Sequence, residues 1–319
     1  MRPIPDLSRR GFIAAGAALL GAGVSGPAAA AAPFFRRVNL PIGLQLYTLG
    51  PEATKDLDAT FAEVARIGYR AVELAGFMGR TPQDIRAALD RAGLVCPSAH
   101  IQPRATGAEG FSGDLGKLAE ALAVIGVKNA VAPSPYIPDH ALKAAQGAVG
   151  IDYYRKATGA LTADDWKMNA DFLNEKAAVL KRSGISVGYH NHNFEFAPKG
   201  DSTGLEILLK HTDPALVSFE ADVGWIAAAG VDPLTFLRRH KGRFTQMHVK
   251  DLKASTKANV DLQMDPTEIG AGRLDWTTLL PGAYAAGVRG FFVEQEPPFE
   301  RPRIEAARIS HDFLAKLEG

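Results

Sequence analysis

The 319-residue chain holds a single cysteine, Cys96, so no disulfide can form within it. The stretch around it, "GLVCPSAH", reads as a buried strand in which the thiol packs as a small hydrophobe. Runs of one charge are also missing: 36 basic residues face 35 acidic ones, for a net charge of +1 and no long single-sign block. Nucleic-acid binding relies on Lys and Arg clustered against phosphates, and nothing here supplies that cluster. The Ala/Gly-rich apolar stretch from Gly11 to Val24 is too short for a bilayer core of ~30 Å, so no stable membrane anchor is expected. A small-molecule ligand is what these absences leave.

The same N-terminal region has a positive signal. Ser8 precedes a twin arginine, Arg9 and Arg10, with Phe12 close behind, and small residues fitting an A-x-A cleavage site follow the apolar stretch. Residues 1–32 therefore read as a twin-arginine export signal cut near Ala30 or Ala32, with the periplasm as destination. A disordered Ala-rich tail is the plainer alternative. The remaining domain spans 33–319.

With 46% hydrophobic and 22% charged residues, that domain has an ordinary soluble composition. From Pro41 onward a short apolar run, a polar turn and a longer segment of helical period repeat. The strand-like runs cover 42–49, 69–75, 94–101, 127–134, 185–196, 216–223, 244–251 and 290–296. Segments such as "TPQDIRAALDRAG" (81–93) lie between them, with Thr81 as N-cap, Pro82 in the first turn and Gly93 as the stop. Parallel strands need crossover connections, so the alternation predicts a parallel sheet. Eight units in roughly 250 residues fit a single (β/α)8 TIM barrel of eight parallel strands. The rival, an open doubly wound sheet, normally carries a Gly-rich phosphate turn after its first strand, and "LQLYTLGPEATKD" has none. Two long connections, 134–161 and 252–272, fall where the C-terminal rim is expected, and the first is a candidate lid.

In a barrel, polar residues at the C-terminal ends of strands read as a site. Seven of the eight runs carry them: Gln45 and Tyr47, Glu73, His100, His190 and His192, Glu220 and Asp222, His248 and Lys250, Glu294 and Glu296. In each of the last four pairs the spacing is two, which puts both side chains on one face of a strand. The structural alternatives are cross-strand pairing for Glu73 or Gln45, a solvated rim charge for Lys250, and burial as partners for Glu220 and Glu296. Asp222, His248 and Glu294 together are harder to explain that way, because buried charges are costly unless paired or bound to a cation. Two carboxylates and an imidazole from three adjacent strands offer a metal ion N and O ligands.

As a set, "YHNH", "FEADVGW", "MHVKDLK", "EIGAGRLDW" and "FFVEQE" resemble the xylose isomerase-like barrel superfamily of sugar isomerases, epimerases and dehydratases, over Ile42 to about Leu317. The resemblance implies one divalent ion (Mn, Mg, Co or Zn) held by one residue from each of strands five to eight. Carried over position by position, the ligands are Asp222, His248 and Glu294, with His190 standing where the usual "ENH" has its glutamate. Trp225 stands where many relatives have a substrate-binding histidine. The resemblance further implies a carbohydrate substrate, with Glu294, His190 and His192 in catalytic roles and His100, Lys250, Glu73, Tyr47 and Trp225 in substrate binding.

The resemblance also implies that epimerases of this family place fifth- and eighth-strand glutamates on opposite faces of the substrate as two bases. Replacing one by His190 suits an unsymmetrical acid–base pair, and hence β-elimination or dehydration of a non-phosphorylated keto sugar or glycoside. His190 reads either as a ligand through a neutral nitrogen or as a general acid. Glu195 reads as reaching back to the site or as a turn residue. The alternatives are an epimerase or isomerase of free ketoses, a non-catalytic sugar-binding barrel, and a three-zinc endonuclease of the same barrel type, which the charge balance opposes. Oligomeric state, including a homo-oligomer, stays open.

Overall fold

The computed structural model describes residues 32–319. The twin arginine and the apolar stretch after it lie outside the described residues. Among these residues no helix is long and apolar enough to cross a membrane.

Eight parallel strands close into one barrel. They are β1 (Gly43–Gln45), β2 (Ala71–Ala75), β3 (Val95–His100), β4 (Asn129–Ala132), β5 (Ser186–His190), β6 (Val217–Asp222), β7 (Phe244–Val249) and β8 (Gly290–Val293). Each pairs with its chain neighbours, and β8 closes on β1 through Gly43 opposite Phe292. The predicted (β/α)8 barrel is the fold.

The strands are short and almost fully buried, as expected of a sheet covered on both faces. Eight main helices cover the outside: α1 (Leu57–Ile67), α2 (Pro82–Ala92), α3 (Leu115–Ile125), α4 (Ala163–Leu180), α5 (Gly204–His211), α6 (Pro233–Arg239), α7 (Trp276–Ala286) and α8 (Arg303–Leu314). Their starts follow local chemistry. Thr81 caps α2 by accepting from the Asp84 N–H, and Gly93 ends it in the left-handed region at φ 66°. Thr162 and Asp165 form a reciprocal capping box on α4, the longest helix. Each such cap contributes about 1 kcal/mol.

Several strands stop earlier than their apolar runs suggest. After Gln45 the chain turns into a 3-10 segment, Leu46–Leu49, which places Tyr47 half exposed on the rim. The fifth strand ends at His190, and Phe194–Phe196 forms a 3-10 turn. There Glu195 is a turn residue, accepting from the Tyr189 hydroxyl and the His192 N–H, each at 2.8 Å.

The two long connections both lie on the rim. Residues 134–161 carry two helices, Asp139–Ala144 and Gly150–Gly159. The loop after β7 is tied down by Asp251, whose buried carboxylate accepts from the N–H groups of Leu252, Gly270, Gly272 and Leu274 and from the Trp276 indole at 2.7 Å. This explains "EIGAGRLDW" as a segment folded around one carboxylate. Gly272 is required there, because a Cβ would lie 2.1 Å from Asp251 Oδ1. The Arg155 guanidinium donates to the Asp261 carbonyl at 2.8 Å, joining the second lid helix to this loop.

Candidate active site and metal centre

The polar strand ends meet inside the C-terminal mouth of the barrel, in two layers. The register sets Gln45 opposite Glu73, His190 opposite Glu220 and Asp222 opposite His248. Residues two apart on one strand share a face but sit ~6.5 Å apart along it, so Glu220 falls in the deeper layer and Asp222 in the upper one.

In the deep layer, Glu73 accepts from Gln45 Nε2 at 2.8 Å, Ser98 Oγ at 2.5 Å and His248 Nε2 at 2.6 Å. Glu220 Oε2 lies 3.0 Å from His100 Nε2, 3.1 Å from His190 Nδ1 and 3.0 Å from His248 Nε2. Both carboxylates are fully buried. Burial and the neighbouring Glu220 charge raise the Glu73 carboxyl. Glu220 goes the other way: burial would raise it, but His248, His100 and His190 hold it well below the usual carboxylate range.

In the upper layer, the His248 Nδ1 atom lies 3.0 Å from Glu294 Oε2 and 3.8 Å from Asp222 Oδ2, while His190 Nε2 lies 3.9 Å from Asp222 Oδ2. Asp222 also caps the short helix Val223–Ala228, its Oδ1 accepting from the Trp225 N–H at 2.9 Å. The Lys250 ammonium stands among three carboxylates, 2.7 Å from Asp222 Oδ2, 2.7 Å from Glu294 Oε2 and 2.6 Å from Glu296 Oε1. Its stem runs under Gly224, where a Cβ would meet Lys250 Cγ at 2.8 Å.

The charges follow from this packing. Burial alone would lower the Lys250 ammonium, yet Asp222, Glu294 and Glu296 hold it well above the ordinary lysine value. Burial alone would raise Glu294, but Lys250 and His248 keep it well below the usual carboxylate range. Asp222 is raised, by burial first and then by the Glu294 charge against the pull of Lys250. His248 is held well above the ordinary histidine value by Glu220, Glu294 and Glu73, against its burial. Burial pushes His190 well below that value, with the His248 charge adding to the effect, so His190 is neutral.

Ligand atoms of His190, Asp222, His248 and Glu294 all lie within 4.8 Å of one another. Two further observations fit this set to a divalent ion. Each histidine turns one ring nitrogen toward the upper carboxylates and the other toward a deep carboxylate, His190 to Glu220 and His248 to Glu73. That carboxylate–histidine arrangement fixes ring orientation around metals. Asp222 Oδ2, fully buried, has no hydrogen-bond partner and lies beside Lys250 without the angle of a hydrogen bond. A second group, His100, His190, Glu220 and His248, is equally compact. Its members already bond one another, which makes it the support of the upper set.

A cavity of about 420 Å³ opens onto this layer. Of the residues singled out in the sequence, Tyr47, His100, His190, His192, Trp225, Glu294 and Glu296 line it. Asp222 and His248 lie directly beneath. Glu73 and Lys250, expected at the substrate, stand behind the lining and bond to other side chains. Residues not anticipated also line it: Gln102, Leu262, and Ile151 and Tyr154 from the second lid helix. The length of the 134–161 connection was the only sequence signal for the last two. No lysine or arginine lines the cavity among the described residues.

Residues 61–317 match the family model described as the xylose isomerase-like TIM barrel. The chain belongs to that family. Among xylose isomerase-like proteins, an inosose dehydratase of Geobacillus kaustophilus is 27% identical over 291 residues, covering 84% of this chain and 89% of its own. The crystal structure of a sugar phosphate isomerase/epimerase from Parabacteroides distasonis superposes with a TM-score of 0.66 at 25% identity, covering 86% of this chain and 93% of that one. A 3-keto-D-glucoside 4-epimerase from E. coli, at 18% identity, TM-score 0.55 and coverage of 86% and 98%, shares the fold. The relatives of this xylose isomerase-like barrel are thus sugar dehydratases, isomerases and epimerases, which supports an enzyme.

Proposed function

We propose that the protein is a divalent-metal-dependent enzyme that removes a proton beside the carbonyl of a non-phosphorylated keto sugar or glycoside and then eliminates a β-substituent. The observation that carries this reading is the cavity lining: an ionised carboxylate, Glu294, shares the wall with three histidines, and among the described residues no lysine or arginine is there to meet a phosphate. Phosphate recognition draws on Arg, Lys or a helix N-terminus, and a buried anion without them is costly.

His190, Asp222, His248 and Glu294 would hold the ion. When bound, it would supply Lewis-acid stabilisation of negative charge developing on the substrate's carbonyl oxygen. Glu73 and Glu220 hold the His248 and His190 rings in place. Glu294 Oε2 faces His248 and Lys250, which leaves Oε1 to accept the proton. His190, kept neutral by burial, acts as a ligand rather than an acid. His192 lines the same cavity and is the donor to the departing hydroxyl or alkoxide; its Nδ1 is buried with no hydrogen-bond partner. Trp225, Tyr47 and Tyr154 offer apolar surface for a sugar ring. We further propose that the chain acts after export, as its twin arginine suggests; replacing Arg9 and Arg10 by Lys would then retain it inside the cell.

The test is to incubate the metal-loaded protein in deuterated water with keto sugars, 3-keto glycosides and their phosphorylated counterparts. Loss of water or an alcohol to leave an unsaturated ketone is expected for the unphosphorylated compounds, with deuterium exchanged in beside the carbonyl of recovered substrate. Preferential turnover of the phosphates contradicts the reading, and a recovered epimer without elimination reassigns the chain as an epimerase.

A further inference from the structure

We infer that Lys250 is a built-in counter-ion of the metal centre, whose ammonium neutralises Asp222 and Glu294 in the metal-free protein and withdraws onto Glu296 when a divalent cation binds. The inference rests on the metal-site reading above and concerns a residue outside the ligand set.

A fully buried lysine is expensive unless its charge is compensated. Lys250 is fully buried and has three carboxylates within 2.7 Å, two of which are the carboxylates of the ligand set. The three contacts differ in kind. The contact to Glu296 is a hydrogen bond of 2.6 Å. Asp222 Oδ2 lies at a similar distance but out of line, and it keeps no hydrogen bond at all. The ammonium thus has its well-aligned hydrogen bond to Glu296, outside the ligand set, and meets Asp222 and Glu294 as close ion pairs at 2.7 Å each. Such pairs yield to a stronger cation.

The route of withdrawal is also present. Glu296 Oε1 is held by the Trp225 indole N–H at 3.0 Å, so its carboxylate stays in place without Lys250. The Lys250 ammonium already lies 5.2 Å from the centre of the Trp225 ring, within cation–π range. The aliphatic stem packs directly on Gly224, where any Cβ would meet Lys250 Cγ at 2.8 Å, so only glycine lets it lie there. A divalent ion on Asp222 and Glu294 would repel the ammonium, and Glu296 with the Trp225 face gives it somewhere to go. The same arrangement keeps two ligand carboxylates from facing each other uncompensated before the ion arrives.

Zinc ion is a suitable probe, since it does not quench fluorescence. Zn²⁺ is titrated into the metal-free full chain, its Lys250→Met variant and its Trp225→Phe variant, with affinity read by calorimetry and tryptophan emission followed in parallel. Lys250→Met is expected to bind Zn²⁺ at least tenfold more tightly, because no resident cation has to leave. In the wild type, Zn²⁺ is expected to shift the Trp225 emission component, which Trp225→Phe lacks and which should stay unmoved in Lys250→Met. Equal or weaker binding by Lys250→Met, or emission unmoved by saturating Zn²⁺, overturns the inference while the metal centre stands. If Lys250→Met does not fold, Glu296→Gln decides: weaker Zn²⁺ binding together with loss of the emission shift is expected, and an unchanged affinity and shift overturn the inference. Binding of Zn²⁺ by none of the proteins removes the metal-site reading and this inference with it.

Discussion

The deep and upper layers of the barrel mouth use the same residue types to different ends. Around Glu73 and Glu220, the carboxylates bond to histidine, glutamine and serine side chains, and the histidines in turn face carboxylates. One layer above, Asp222 keeps a buried oxygen without a hydrogen bond, and Lys250 is shared among three acids. A satisfied polar network fixes positions, whereas a buried polar atom left without a hydrogen bond is costly and calls for a further explanation. Under the proposed function, the comparison separates residues that orient from residues that bind and react, although all lie within a few ångströms.

The most direct way to break the distinction is in the upper layer. Glu294→Gln keeps size and removes the base, so turnover of a keto-sugar substrate should fall by roughly 10²–10⁴-fold with the far-ultraviolet spectrum unchanged. A variant that retains most activity would exclude Glu294 as the base. In the deep layer, Glu73→Gln or Glu220→Gln should weaken metal affinity by about 10–100-fold, because each supports a ligating histidine from behind. Equal losses from Glu294→Gln and Glu73→Gln, in both kcat and metal affinity, would erase the difference between layers.

Smaller effects sharpen the boundaries. Gly224→Ala presses on the Lys250 stem and should destabilise the fold by about 1–3 kcal/mol, read as a lower Tm. Ile151→Ala trims the lid wall, so KM should rise several-fold, for about 1 kcal/mol of lost apolar contact, with kcat little changed. Least of all is expected from Cys96: burial pushes its thiol well up, so a thiol reagent should label it only when the protein unfolds.

Much of the barrel was legible because its signals are local. Strand–helix alternation and the helix signals of Thr81, Pro82 and Gly93 are all read from a few neighbouring residues. Asp222, His248 and Glu294 were visible as polar residues at strand ends. The division of labour between Glu220 and Asp222 was not, because a period of two gives the face of a residue and not its depth in the barrel. The fifth strand also ends at His190, so His192 reaches the cavity from the following loop, where strand alternation no longer applies. Lys250 read as a rim charge or sugar donor for a similar reason: three carboxylates bury it, and they come from strands distant in sequence. Ile151 and Tyr154 sit on a lid helix whose docking no strand pattern encodes.

The central claim is that four side chains at the ends of β5 to β8 make a metal centre in which His190 stands in for a carboxylate. Elemental analysis of the purified chain beside His190→Ala tests it most directly. The account predicts one divalent ion per wild-type chain and its loss from the variant. A wild-type protein that carries no ion and takes up none when offered manganese, magnesium, cobalt or zinc would contradict it, and so would a variant that holds its ion undiminished.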